Sequence, residues 1–207
     1  MTTTTATAVR TPTSRSEVVV RPAVPADAES IATIHHLGWT RTYRGMLPDT
    51  YLDALSYDAC LARWTSALVD GTPLDILVAD LDGRVVGFVT AGASADPDAT
   101  AAGEIWDLWV GAASRSQGVG TLLLAAALDR LTVRHRAALV WVLETNSRGR
   151  GFYAREGGVR DGVSRTRAIP GGSMTDVRYL WDVRGRLTRE PSTNGQPGAG
   201  LPRGNQR

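Results

Sequence analysis

The sequence predicts a single α/β domain, and three observations support this prediction. Apolar segments with strand-like alternation take turns along the chain with segments of helical spacing. The length of 207 residues suits one domain of ordinary size. Hydrophobic residues make up 43% and charged residues 21%, which is typical of a soluble globular protein. We expect the domain over residues 17–183, because residues 1–16 and 184–207 have few apolar side chains and are expected to be disordered.

The strands and helices are predicted from the period of the apolar residues and from turn signals. A hairpin turn is expected at Asp82 and Gly83. One helix should begin between residues 25 and 27 and break within residues 38–48, where Gly38 is the first breaking signal. Three further helices are expected at residues 49–68, 118–131 and 146–155. The predicted strands are residues 18–21, 77–80, 84–91, 104–110, 138–143, 162–168 and 176–181.

Composition and charge exclude several classes of protein. No run of about eighteen apolar residues is present and the first residues lack a secretory signal, so we expect a cytoplasmic protein that does not enter the membrane. All 23 basic residues are arginine, but residues 17–183 contain 16 of them against 20 acids, so no nucleic acid is expected as a partner. Cys60, the single cysteine, excludes a disulfide or a CxxC metal site and is interpreted as a helix residue, not a nucleophile; no metal is expected.

The most informative motif lies between a predicted strand and a predicted helix. Its glycines let the backbone approach a ligand, and the free N–H groups at the helix start can bind a phosphate oxygen. The guanidinium of an arginine can donate two charge-assisted hydrogen bonds to the same phosphate. The chain has no lysine, which excludes a Walker motif, and the dinucleotide motif GxGxxG also fails. The motif consists of Arg115, Ser116, Gln117, Gly118, Val119, Gly120 and Thr121.

This motif resembles the RxxGxG/A acyl-CoA motif of the GNAT superfamily of N-acetyltransferases. The resemblance covers about residues 18–181 and includes an early WTRTYRG segment followed by LPD. It implies a mixed, mostly antiparallel sheet of six to seven strands with helices on both faces. It also implies acetyl-CoA as co-substrate, transfer to the amine of a small molecule or a peptide, and permits a homodimer. The implied cofactor-binding residues besides the motif are Leu108, Trp109, Val110, Asn146 and Phe152.

The resemblance also implies the catalytic groups. Glu104 stands where some members of the family keep a general base, and Tyr153 stands where the family has a tyrosine that can protonate the leaving thiolate. Asp107 and then His36 are the alternatives for the base, and a water chain is another. Strict alternation would place Asp107 on the opposite strand face from Glu104. His35 and His36 are otherwise interpreted as residues that pack on a helix face or are exposed.

Aromatic residues are expected on the acceptor side of the site. Trp39, Tyr43, Trp106 and Trp109 could form a wall around a cationic amine, or they could be ordinary core aromatics. Gly149 and the Gly157-Gly158 pair depart from the family pattern, so looser packing of the last helix is expected. A domain that binds acyl-CoA without catalysis, as a sensor or a partner-binding protein, is the alternative function.

Overall fold

The computed structural model describes residues 17–99 and 102–184. The expected tails lie outside the described residues, apart from Arg184. Among the described residues, no helix combines the length and the hydropathy that crossing a bilayer requires.

A seven-stranded mixed sheet organises the domain. The strand order is β1-β2-β3-β4-β5-β7-β6, and every neighbouring pair is antiparallel except β4 and β5, which are parallel. This confirms the expected mixed and mostly antiparallel sheet. The strands are β1 (Val18–Pro22), β2 (Asp75–Leu81), β3 (Arg84–Ala93), β4 (Gly103–Val110), β5 (Ala137–Leu143), β6 (Val159–Ile169) and β7 (Gly172–Asp182).

Helices cover both faces of the sheet. The helices are α1 (Ala28–Thr42), α2 (Asp49–Asp53), α3 (Tyr57–Val69), α4 (Val119–Thr132) and α5 (Ser147–Arg155), with short 3-10 segments between some elements. Helix α4 packs its leucines on one face of the sheet, where they bury Ile105 and Val140. Helices α1 and α3 pack on the other face around Phe88 and Trp64. The two apolar layers, one on each side, are the reason that the central strands β3 and β5 are near-continuous hydrophobic runs.

The expected hairpin turn between β2 and β3 is confirmed. Asp82 and Gly83 both have positive φ angles, of 51° and 79°, as a two-residue turn of the primed type requires. The backbone N–H of Gly83 donates to the Asp80 carboxylate at 2.7 Å, which fixes the turn further.

Helix α1 ends at Thr42, within the break predicted over residues 38–48. Gly38 itself lies inside the helix, where its missing Cβ leaves space for the Trp109 ring. The prediction of one helix over residues 49–68 is wrong, because this stretch is split into α2 and α3. The Ser56 side chain accepts a hydrogen bond from the N–H of Ala59, and this N-cap starts α3 as a new helix.

Strand β4 contains the irregularity that shapes the site. In its pairing with β3, Asp107 lies opposite Thr90 while Ile105 lies opposite Ala91, so Trp106 is an extra residue in a β-bulge. On its other side β4 pairs with β5 only from Gly103 to Ile105. Beyond Ile105 the two strands separate, and their separation opens the sheet.

Candidate active site

A cleft of about 720 Å³ opens where β4 and β5 separate. The glycine-rich loop and α5 line one end of the cleft. Trp39 of α1 and Tyr43, which directly follows α1, line the other end. All but two of the site residues expected from the sequence line the cleft: Trp39, Tyr43, Glu104, Trp106, Leu108, Trp109, Val110, Arg115, Ser116, Gly118, Gly120, Thr121, Asn146, Phe152 and Tyr153. The two side chains that do not are Gln117 and Val119. The Gln117 amide donates to the Ala113 carbonyl, and Val119 is buried in the core beneath α4.

The backbone of the separated part of β4 offers unpaired groups to the cleft. The N–H of Gly111 donates to the Val86 carbonyl on the β3 side. Because successive residues of a strand direct their backbone groups to alternate edges, Val110 and Leu108 direct theirs to the β5 side. There β5 provides no partner to either residue. The amide of Leu108 is therefore available to a molecule in the cleft.

The glycine-rich loop has the conformation of an anion site. Ser116 and Gly118 have left-handed φ angles of 62° and 81°, and Gly118 is the N-cap of α4 without a side chain that caps the helix. The N–H groups of the first turn of α4 are thus left to a ligand, in the positive field of the helix dipole. A Cβ on Gly120 would lie at an ordinary contact distance of 3.4 Å from the Phe152 ring, so α4 and α5 meet at this position. The N–H groups of the loop could hold the oxygens of a pyrophosphate.

Three arginines add positive charge near this loop. Arg115 donates from Nε to the Val110 carbonyl at 3.0 Å and from Nη2 to the Thr42 hydroxyl at 3.4 Å, so part of its guanidinium is already engaged. Burial lowers the pKa of Arg115, and the charges of Arg148 and Arg41 lower it further. Arg115 has no acidic partner among the described residues, and an anion would relieve this mutual repulsion.

Asn146 connects the two ends of the cleft. Its Oδ1 accepts the N–H of Gly149 at 2.9 Å and caps α5. Its side chain also lowers the pKa of the Tyr43 hydroxyl at the other end of the cleft, although burial of Tyr43 outweighs this effect. The cap at the start of α5 gives Asn146 a structural task.

Tyr153 places a phenol at the buried wall of the cleft. Its ring packs against Tyr179 and Trp181, and its hydroxyl makes no hydrogen bond within the described residues. Burial raises its pKa, so the group remains a protonated donor at neutral pH. Nearby Tyr43 is also protonated, because burial raises its pKa to about 12.

The expected loose packing around the Gly157-Gly158 pair is wrong. A Cβ on Gly158 would lie 2.7 Å from the Trp181 ring, so this large ring occupies the space that the glycine leaves. The indole N–H of Trp181 donates to the Glu156 carbonyl at 3.0 Å. The position of Tyr153 is thereby well supported.

Glu104 is a buried carboxylate that lines the cleft. Only 3% of the residue is exposed, so it is not a solvated acid at the end of a strand. It accepts hydrogen bonds from the Ser94 hydroxyl at 2.9 Å and from the N–H of Ala95 at 3.3 Å. Burial raises its pKa, and these two donors offset part of the rise.

Asp107 lies on the same strand face as Glu104, so the expectation from strict alternation is wrong. Asp107 is opposite Thr90 and Glu104 is opposite Gly92, and residues two apart on β3 share a face. The bulge at Trp106 causes the difference, because one extra residue inverts the alternation. Both carboxylates therefore line one cleft, and no feature of the sequence signals this bulge.

Aromatic rings form the acceptor end of the cleft. The centroids of the Trp39 and Tyr43 rings lie 4.9 Å apart in an edge-on contact, and those of Tyr43 and Trp109 lie 5.8 Å apart. Trp106 is 41% exposed at the bulge. Sequence reasoning missed the polar residues from β6 and β7 that complete this end; alternation on the last two strands was the only signal for them. They are Arg165, Arg167 and Asp176.

The histidines differ in environment. His36 contacts the Tyr57 ring and does not line the cleft. His35 is buried between α1, α3 and β4, and its Nε2 lies 3.4 Å from the Asp107 carboxylate. The sequence-based interpretation of His35 as a packing residue left out this polar contact.

Comparisons with known proteins agree with this geometry. The model of the acetyltransferase (GNAT) family matches residues 34–158. An uncharacterized N-acetyltransferase of Bacillus subtilis is 30% identical over 130 residues, which are 62% of this chain and 73% of that protein. A probable N-acetyltransferase of Mycobacterium tuberculosis is 28% identical over 179 residues, covering 79% of this chain and 93% of that protein.

A solved structure shares the fold. The PaiA N-acetyltransferase of Thermoplasma acidophilum, crystallised in complex with coenzyme A, superposes with a TM-score of 0.59 at 18% identity and covers 80% of this chain and 99% of that chain. The fold, the glycine-rich loop at the separated strands and the match of the family model lead to one assignment. The chain belongs to the acetyltransferase (GNAT) family.

Proposed function

We propose that this acetyltransferase moves the acetyl group of acetyl-CoA directly to a primary amine of a small molecule or a peptide. The observation that supports this proposal best is the separation of β4 from β5. It leaves the backbone of Leu108 and the N–H of Val110 without a strand partner, beside a loop suited to a pyrophosphate. An extended molecule with amide groups and phosphates can bind both features at once.

The anionic end of the co-substrate would be held by the loop and by arginine. The N–H groups at the start of α4 and the guanidinium of Arg115 would bind the phosphates. The Leu108 carbonyl and the Val110 N–H would pair with the amides of the pantetheine arm. Trp109 and Phe152 would contribute through packing, since each lines the cleft from a neighbouring element. Coenzyme A bound in this way would use backbone groups of β4 that have no partner in the sheet, and no strand would have to move.

Three proton and charge roles follow from the chemistry. Acetyl-CoA supplies the thioester whose carbonyl carbon the amine attacks. The Leu108 N–H would stabilise the carbonyl oxygen as it gains negative charge. Glu104 would accept the proton that the amine loses, directly or through water, as the C–N bond forms. Tyr153 would donate its proton to the sulfur as the C–S bond breaks.

The acceptor would enter between the aromatic residues of α1 and the bulge. Trp39, Tyr43 and Trp106 offer ring faces and edges to a cationic amine at this end. The β6–β7 hairpin supplies further side chains to this end, among them Arg165, Arg167 and Asp176, and these would select the acceptor.

The test is an assay of amines that follows the release of free CoA, run beside a calorimetric titration of acetyl-CoA. Spermidine, L-lysine, phenethylamine and a peptide with a free N-terminal alanine represent four classes of acceptor. Binding of acetyl-CoA together with CoA release that depends on one of these amines is the expected result. Binding without turnover on any amine would contradict the proposal and would favour an acyl-CoA sensor.

A further inference from the structure

The position of the proton on His35 is fixed by one neighbour. The indole Nε1 of Trp64 lies 3.0 Å from Nδ1 of His35 in a hydrogen bond between two buried side chains. An indole N–H can only donate, so Nδ1 must accept and carries no proton. The proton of the neutral imidazole is therefore on Nε2, and Nε2 is the atom that lies 3.4 Å from Oδ1 of Asp107.

The surroundings keep this imidazole neutral. Burial is the largest influence and lowers the pKa of His35. Asp107 raises this pKa, whereas the charges of Arg63 and His36 lower it, and the Cys60 thiol lies 3.5 Å from Nδ1. Four aromatic rings enclose the imidazole, those of Trp39, Trp64, Phe88 and Trp109. A neutral ring with a fixed tautomer is a directional donor.

Asp107 is held from its buried side and faces the cleft. Its Oδ2 accepts from the Thr90 hydroxyl at 3.1 Å, and Arg63 approaches the same oxygen at 3.6 Å. The Asp107 side chain is 10% exposed and lines the cleft. It directly precedes Leu108, whose N–H faces the gap between the strands. An ionised carboxylate can accept about four hydrogen bonds, so it has capacity left for a ligand.

We propose that Asp107 binds the ammonium group of the acceptor, and that His35, fixed by Trp64, positions this carboxylate. This inference rests on the proposed function. It assigns different roles to the two carboxylates on one face of β4. Asp107 would select and orient a cationic amine, and Glu104 would take the proton. The bulge at Trp106 makes the arrangement possible, because it brings both carboxylates to the same face of β4.

The tautomer is tested without any acceptor. In protein labelled with ¹⁵N-histidine, long-range ¹H–¹⁵N spectra distinguish protonated from unprotonated ring nitrogens. We expect Nδ1 of His35 to be unprotonated and Nε2 protonated across about pH 6 to 8, the range in which a free histidine changes charge. In the Trp64→Phe variant, which lacks the indole N–H, we expect His35 to populate both tautomers and not only the one protonated on Nε2. A proton on Nδ1, or an imidazolium over this range, would overturn the proposed positioning.

The role of Asp107 is tested by steady-state kinetics that determine the acceptor KM and kcat separately. For each amine that the enzyme accepts, Asp107→Asn should raise the acceptor KM on the order of 30-fold, because a charged partner of the ammonium is lost. The Kd of acetyl-CoA should change by less than about twofold, and this also shows that the variant is folded. An unchanged acceptor KM would refute the role of Asp107.

A matched pair of variants tests His35. The amide nitrogen of glutamine can replace Nε2, whereas the shorter asparagine can accept from Trp64 but does not reach Asp107. His35→Gln should therefore keep the acceptor KM within about threefold of the wild type, and His35→Asn should raise it about tenfold or more. Equal effects of both variants would contradict the positioning role. Failure of the wild type with every amine would instead refute the proposed function, and the tautomer result would still stand.

Discussion

The backbone at Gly38 lies directly against the indole ring of Trp109. A Cβ atom added to Gly38 would overlap this ring. The contact joins the middle of α1 to the separated part of β4, so it sets the distance between the acceptor end of the cleft and the strand beside it. This close contact explains why glycine, which is a poor helix former, stands in the middle of α1.

We expect Gly38→Ala to destabilise the protein by about 1–3 kcal/mol, because the added methyl group would force the Trp109 ring or α1 to move. Gly151→Ala is the matched control. This glycine also lies within a helix, but an added Cβ would meet only the flexible end of Arg155 at 3.3 Å. The control should be neutral or more stable by about 0.5–1 kcal/mol. Urea unfolding of both variants measures the difference, and equal stabilities would contradict the packing argument.

For Tyr153→Phe we expect kcat to fall about 100-fold while the Kd of acetyl-CoA stays nearly constant, because the hydroxyl is needed only as the thiolate leaves. Tyr179→Phe is the control, since this tyrosine contacts the Tyr153 ring but does not line the cleft. Steady-state kinetics and calorimetry supply the two values. A parallel loss of turnover and binding in Tyr153→Phe would show that the hydroxyl is not the proton donor.

Glu104 should control the acidic side of the pH profile. Burial raises its pKa, so the carboxyl takes up a proton at a higher pH than an exposed glutamate, and activity should fall as the pH falls through this raised value. Glu104→Gln should lower the rate at neutral pH about 100-fold, with partial recovery at alkaline pH, where more of the amine is neutral. Glu144→Gln, on an exposed residue paired with Arg160, should leave the profile unchanged. An acidic limb that persists in Glu104→Gln would assign the base elsewhere.

Arg115→Gln should weaken acetyl-CoA binding about tenfold and should reduce the dependence of the Kd on salt, because one cation near the loop is lost. The control is Arg130→Gln, which removes an equal charge from the exposed last turn of α4, at the end of the helix away from the loop. Calorimetric titrations at two salt concentrations make the comparison. Equal affinities in the two variants would exclude a direct contact of Arg115 with the phosphates.

Much of the fold could be predicted from the sequence, because its signals are local. The Asp82-Gly83 turn needs two residues with positive φ, and the alternation around it defines β2 and β3. The helix after the glycine-rich loop was also predicted within one residue at each end, since the leucines of α4 repeat on one face. The error within residues 49–68 concerns a boundary, where a single cap at Ser56 decides the outcome.

The site could be predicted only in part, because its most informative feature depends on pairing between strands. The loop residues and Tyr153 carry a motif, and all of them except Gln117 and Val119 line the cleft. The shared face of Glu104 and Asp107 depends on one extra residue opposite β3, and the environment of His35 depends on Trp64, which is 29 positions away in the chain. Period and propensity carry no information about either relationship.

The short pairing of β4 with β5 has a further consequence for solvent exchange. In the free enzyme we expect the amide protons of Leu108 and Val110 to exchange with water faster than the bonded amides of the sheet, although they lie in its middle and not at its edge. A molecule bound between the strands would act as a missing eighth strand and slow this exchange. Its affinity for these atoms would depend on the backbone alone, so the side chains at both positions are free to vary without loss of this contact.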